Sequence, residues 1–350
     1  MNAARAALTS LVLTLAFAGT ASAADGDKPP PPLFQAEAPL AVTLQAPWSE
    51  VLKNIKDARR HPAVLTYTDA QGQARRIEAT VETRGITRRR VCRFPPLRVR
   101  FAKAAVAGTE FAGQDSLKMV THCNREPVFK PYYVQEWLAY RLYNLVTERS
   151  FRARPLDVTY VDSKGGKPDG PRFAFLIEDV GDMARRNGLK RDPKGRFRPG
   201  DYDSMALSRF MLFQYLIGNT DWDVMVGPQA DECCHNVRVV GAGDQPRIAV
   251  PYDFDSAGMV NANYAAPHES LPIKDVRTRL YRGLCVHNDT LQAARREFQA
   301  HRPAIFALVQ GEARLPAQRQ KVVARYFEDF FEVVDSDERF AREIIAKCRK

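Results

Sequence analysis

The chain has 350 residues, 45% apolar and 27% charged, with six cysteines and a formal charge of +11. Such a composition is ordinary globular material without repeats or low-complexity tracts, which excludes disordered, fibrous and solenoid classes. The basic balance suits an anionic envelope component or a phosphorylated ligand, and no nucleic-acid role is expected because no aromatic-rich basic strand occurs.

Arg5 gives a short positive start, residues 6–18 form an apolar run, and Ala21-Ser22-Ala23 supplies small residues at a cleavage position. Residues 1–23 are therefore read as a cleaved signal, making the chain exported, periplasmic or secreted. The run is too short for the roughly 20 residues of a spanning helix, and no later segment is apolar enough to span. Residues 24–35 are read as a leader, because DGDKPPPPL favours extended polyproline that cannot pack. Export places the six cysteines in an oxidising compartment, where an even number implies disulfides. Cys92 and Cys123 flank strands of one sheet and are expected to pair; Cys233 or Cys234 is expected to reach Cys285 or Cys348. Zinc at Cys233, Cys234 and His235 is the rival reading, but neighbours that close rarely share one tetrahedral ion.

From residue 41 to residue 120 the segments VLTYTD, ARRIEATVETRG, PLRVRFA and DSLKMVT alternate apolar and polar residues, the period of half-buried strands. Between residues 127 and 148 the apolar spacing becomes three and four, through Tyr133, Trp137 and Tyr140, which predicts a helix. Two strands follow, RPLDVTYVD and RFAFLIED, across the turn-rich SKGGKPDGP. A polar, arginine-rich stretch then leads to a helix over residues 202–217 that is apolar nearly all round and therefore buried. An irregular segment over residues 218–236 precedes a hairpin, VRVV-GAGDQP-RIAVPY, and residues beyond 289 read as amphipathic helices.

The hairpin carries the chemistry. Antiparallel strands put Asn236, before the first strand, beside Asp253, after the second, and Asp255 lies just beyond. Asp221 stands on the irregular segment upstream. Converging carboxylate and carboxamide oxygens suit a hard divalent cation, and a further Asp could orient or deprotonate a hydroxyl. Phosphoryl transfer asks for this set: an Asp on a loop, an Asn ligand, and an Asp closing the next hairpin.

The stretch LIGNTDWDVMVGPQADECCHNVRVV…RIAVPYDFDSAG resembles the spore-coat protein H (CotH) type of secreted kinase, with its GN-x-D-W segment, its HN before a strand and its P-aromatic-D-x-D motif. Arg84-Gly85, FAGQDSLKMV and FLIEDV agree in outline, so that the likeness runs from about residue 79 to residue 258. The resemblance implies an α+β, protein-kinase-like bilobal fold: a lobe over residues 36–180 with an antiparallel sheet and one helix, and a mainly helical lobe over residues 181–350 with the β-hairpin. It also implies ATP with Mg²⁺ or Mn²⁺ and transfer to a protein acceptor. By position, Asp221 is the catalytic aspartate, Asn236, Asp253 and Asp255 are metal contacts, and Lys118, Glu136 and Arg84 bind the cofactor. Lys118 and Glu136 are expected to pair over the phosphates. No G-x-G-x-x-G loop occurs. The alternatives are a non-catalytic envelope-associated binding module, with Arg88, Arg89 and Arg90 as its basic patch, and a metal-dependent phosphoesterase; a monomer is expected.

Overall fold

The computed structural model describes residues 28–192, 196–227 and 233–350; the expected export signal and the start of the expected leader lie outside them. In chain order the elements are β1 (Leu40–Ala46), α1 (Trp48–Lys53), β2 (His61–Thr68), β3 (Ala74–Thr83), α2 (Arg88–Val91), β4 (Leu97–Phe101), α3 (Lys103–Val106), β5 (Ser116–Val120), α4 (Lys130–Val146), β6 (Ala153–Asp162) and β7 (Asp169–Ile177). They continue with α5 (Val180–Arg186), β8 (Lys190–Arg191), α6 (Ser204–Ile217), β9 (Val237–Gly241), β10 (Ile248–Pro251), α7 (Asn288–Gln310), α8 (Ala317–Asp335) and α9 (Asp337–Glu343).

Seven strands close into a barrel in the order β1-β2-β3-β4-β5-β7-β6, and a separate three-stranded sheet runs β10-β9-β8. This overturns the expected kinase-like bilobal fold with an open antiparallel sheet. The closing pair is parallel, β1 against β6, in register from Leu40↔Leu156 to Ala46↔Asp162. Its cause is the need of two otherwise bare strand edges for partners, which closure satisfies completely. The interior holds the inward-facing alternation read from sequence, among it Leu44, Leu65, Val81, Val99, Leu117 and Val158.

The leader is corrected too. Leu33 is fully buried and Phe34 nearly so in the barrel core, on a short 3₁₀ turn over Pro32–Phe34. Proline rigidity did not stop packing, because it delivers an extended arm whose first apolar residues plug the barrel.

A second core lies outside the barrel. The helix α4 sets Trp137 edge-on to Phe173 and Tyr140 edge-on to Phe175, so the outer face of β7 is covered. The buried helix α6 starts on Asp203, whose carboxylate accepts from Ala206 N at 2.7 Å. It ends on Gly218 at φ 65°, where a Cβ would overlap the Tyr326 hydroxyl, so only glycine fits. Gly258 N donates to Gly218 O at 3.0 Å, which joins the end of α6 to the segment after β10. That junction places the acidic residues.

Candidate functional site

In β9 and β10 the register Val237↔Pro251 brings the two ends of the hairpin together, and Tyr252 N continues the ladder to Asn236 O at 3.1 Å. Asn236 and Asp253 both take left-handed backbone, at φ 52° and 65°. For non-glycine residues this costs on the order of 1 kcal/mol each, and Asn and Asp tolerate it best. Asp221 is drawn onto the same edge: the Asn236 amide donates to Asp221 O at 2.8 Å and to its Oδ2 at 3.1 Å. His235 Nε2 sits 2.6 Å from Asp221 Oδ1, and that hydrogen bond raises the His235 pKa above its ordinary value. The Asp221 side chain remains 43% exposed, so a solute can reach it. The neighbouring Asp223 serves the backbone, accepting from Met225 N and Val226 N at 2.8 and 3.1 Å.

Tyr252 leads from this acidic edge into a cavity of about 150 Å³ between β5, the β7–α5 junction and the hairpin. Its charged lining is mostly cationic: Arg98, Lys118, Arg191 and Arg238. Lys118 lies 4.2 Å above the Tyr252 ring, and Arg238 lies 4.5 Å from it. No carboxylate pairs with Lys118, Arg191, Arg238 or Arg84 among the described residues. The Lys118 pKa is pulled down to about 7 by burial first, then by the charges of Arg84 and Arg238, with Asp253 acting the other way. The two acids in the lining are engaged: Glu178 accepts from Arg186 at 3.0 Å and Asp179 caps Gly181 N at 2.7 Å. Arg98 also reaches Glu82 at 3.4 Å, and Asp179 brings a carboxylate to the lining, so the cavity is partly neutralised but retains a cationic excess at Lys118, Arg191 and Arg238, the electrostatics of an anion site.

The expected Lys118–Glu136 pair does not form. Glu136 is fully buried and its Oε2 pairs instead with Arg88, whose Nε also donates to Asp255 Oδ2 at 2.8 Å. Arg88 reaches inward from α2, so the expected Arg88-Arg89-Arg90 surface patch keeps only Arg89, which bonds Gly85 O and Lys56 O, and the exposed Arg90. One buried guanidinium between two carboxylates outcompetes a lysine across the cavity, because it bonds both at once. Burial pushes the Glu136 pKa up to about 8 and raises that of Asp255, with Arg88 opposing both. Asp255 is therefore turned toward Arg88, and Glu136 stands apart from the lysine it was expected to hold. Arg84 follows the end of β3, its backbone N–H bonded to Pro96 O at 2.8 Å, and acts on Lys118 through its charge.

Cys92 pairs with Cys123, as expected. The other expected bridge is corrected: Cys233 pairs with Cys234, and Cys285 with Cys348. The C-terminal residues lie along residues 283–285, with Cys285 N bonded to Arg349 O at 2.9 Å, so Cys348 meets Cys285 before a loop cysteine can. No helix among the described residues is long and apolar enough to cross a membrane. No group of three or more His, Cys, Asp or Glu among them is arranged to hold a metal, neither Cys233, Cys234 and His235 nor the expected contacts Asp253 and Asp255 together with Asp221.

The sequence reading missed Arg88 as a buried partner, His235 as the companion of Asp221, and the guanidinium lining of the pocket. The inward turn of Arg88 had no signal in a run of three arginines. Arg98 and Arg238 did have one: each is a charged residue on a strand face opposite the barrel or hairpin core. No family model matches the chain, and no curated protein matches it.

Proposed function

We propose that this chain is an exported phosphotransferase that moves a phosphoryl group from a nucleotide, ATP, to a protein hydroxyl. The observation that carries the reading is the continuity of two features: a mostly cationic pocket, in which Lys118, Arg191 and Arg238 have no carboxylate partner among the described residues, and its Tyr252 floor, which runs directly into Asp253, with Asn236 and Asp221 beside it. Lys118, Arg238, Arg98 and Arg191 would take the phosphates, with Arg84 adding charge at longer range. The exposed carboxylate of Asp221, fixed by Asn236 and His235, would orient the acceptor hydroxyl and take its proton. The likeness of residues 218–258 to the CotH-type motifs points to the same chemistry, and three disulfides suit an oxidising compartment.

The residues present fit Mg²⁺ or Mn²⁺ in part. Asp253 and Asn236 offer the oxygen donors a hard cation prefers, and a site of so few side chains would be completed by phosphate oxygens and water, as magnesium sites commonly are. When bound, the ion would neutralise charge on the transferred phosphoryl group. Asp255 contributes less than its motif position suggests, because Arg88 occupies one of its oxygens.

The test is nucleotide-dependent thermal stabilisation, with ATP and Mn²⁺ together and each alone. Wild-type protein is expected to be stabilised by the pair, and Lys118→Met and Asp253→Ala are expected to lose that response. Stabilisation that survives both substitutions would overturn the assignment.

A further inference from the structure

We infer that the C-terminal tail is a positioning strap for Asp221, in which Arg282 and Arg349, pinned by the Cys285–Cys348 bridge, hold the acidic loop in its working conformation. The inference rests on the phosphotransferase reading for the role of Asp221. Its geometric part stands on contacts that reading does not use.

A single guanidinium grips the backbone on both sides of Asp221. Arg282 Nη1 donates to Thr220 O and, at 2.7 Å, to Trp222 O. Those two carbonyls belong to the residues immediately before and after Asp221, so Arg282 fixes the peptide entering Asp221 and the one after Trp222, while Asn236 holds the peptide between them at Asp221 O. Arg282 is fixed in turn by the tail. Arg349 Nε donates to Arg282 O at 2.8 Å, and its Nη1 reaches Asp223 Oδ2 at 3.0 Å. Both guanidinium groups also lie over the ring of Trp222, at 5.3 and 5.6 Å from its centroid. Trp222 is buried and donates its indole N–H to Asn219 O at 2.9 Å.

The tail is held by covalent and backbone means. Residues 284 and 349 form a parallel bridge, in which Cys285 N bonds Arg349 O at 2.9 Å and Arg349 N bonds Gly283 O at 2.7 Å. The Cys285–Cys348 disulfide closes beside it across 63 residues of chain. That bridge ties residues 348–349 to residues 283–285. With it, Arg349 is delivered to Asp223 at the foot of the loop. Asp223 passes the constraint on, because its backbone bonds His235 in both directions at 3.0 Å, and His235 and Asn236 are the side chains that hold Asp221. Neither Arg282 nor Arg349 lines the cationic pocket, so their effect is on aim rather than on nucleotide affinity.

The experiment compares wild-type protein with Arg349→Gln, Arg349→Lys and the double variant Cys285→Ser/Cys348→Ser, using amide hydrogen exchange over residues 219–226 and the kinetics of phosphoryl transfer from ATP with Mn²⁺. Arg349→Gln and the double serine variant are expected to speed exchange in the loop while leaving the barrel strands protected. They are expected to lower kcat by up to about 100-fold, the cost of a misplaced reacting group, with the KM for ATP unchanged. Arg349→Lys, which keeps a charge toward Asp223, is expected to recover part of both. Unchanged loop exchange in both disrupting variants would overturn the strap, as would equal loss of kcat and of ATP affinity together with barrel protection. Faster loop exchange in a protein whose wild type transfers no phosphate would support the strap and remove the phosphotransferase reading instead.

Discussion

Replacing Lys118 by methionine keeps a long unbranched stem over Tyr252 and removes only the ammonium. In the folded chain burial and the nearby arginines bring the Lys118 pKa from an ordinary 10.5 to about 7. Between those values the unfolded chain holds a proton that the folded chain has released, so the free energy of unfolding rises with pH across that window. Below pH 7 both states are protonated and the cost of burying the charge is fully present. At about 1.4 kcal/mol per pH unit between the two values, that cost is roughly 5 kcal/mol as an upper figure; solvent at the pocket mouth screens part of it. Lys118→Met should therefore be more stable than wild type by up to several kcal/mol at pH 6, and its advantage should shrink by about 2 kcal/mol between pH 7 and pH 9. Urea denaturation at four pH values from 6 to 9, with unchanged m-values, measures this. An inorganic polyphosphate should remove much of the wild-type deficit at pH 6, because an anion in the pocket favours the protonated lysine. A stability difference independent of pH, or a methionine variant weaker at every pH, would refute the reasoning.

Two further outcomes follow from the structure. Arg88→Met leaves Glu136 and Asp255 as buried carboxylates without their cation, and should cost about 3–5 kcal/mol. Because both carboxyl groups then titrate still higher in the folded chain, the loss in chemical denaturation should be larger at pH 8 than at pH 5. Leu33→Ala empties a fully buried site in the barrel core and should lower unfolding free energy by about 2–5 kcal/mol; a neutral result would restore the leader to the role of an unpacked arm.

The strands and helices were legible because their periodicities are local. The alternation of β2 to β5, the aromatic stripe of α4 and the all-round apolar α6 could each be read within a short window. Barrel closure was not, since β1 and β6 meet across more than a hundred residues and nothing within either strand names its partner. The acidic edge was legible for a different reason: a hairpin fixes which of its ends are neighbours, so Asn236 and Asp253 could be placed together from the turn alone. The ion pairing was not legible. Lys118, Arg88, Glu136 and Asp255 offered several pairings of similar chemistry, and the choice depended on Arg88 turning inward from a four-residue helix. The cysteines divide likewise. Cys92 and Cys123 flank strands of one sheet, whereas Cys348 is delivered to Cys285 by a backbone bridge at the C-terminus that no pattern announces.

The central claim is that the cationic pocket and the acidic edge form one phosphoryl-transfer site. Its most direct measurement is transfer of labelled γ-phosphate from ATP, with Mg²⁺ and with Mn²⁺, to an acceptor protein or to the chain itself, by wild type, Asp221→Asn and Asp253→Ala. The account predicts labelled protein with wild type, loss of transfer with nucleotide-dependent stabilisation retained in Asp221→Asn, and loss of both in Asp253→Ala. Wild-type protein that labels no acceptor with either metal, or two variants that label as wild type does, would contradict it.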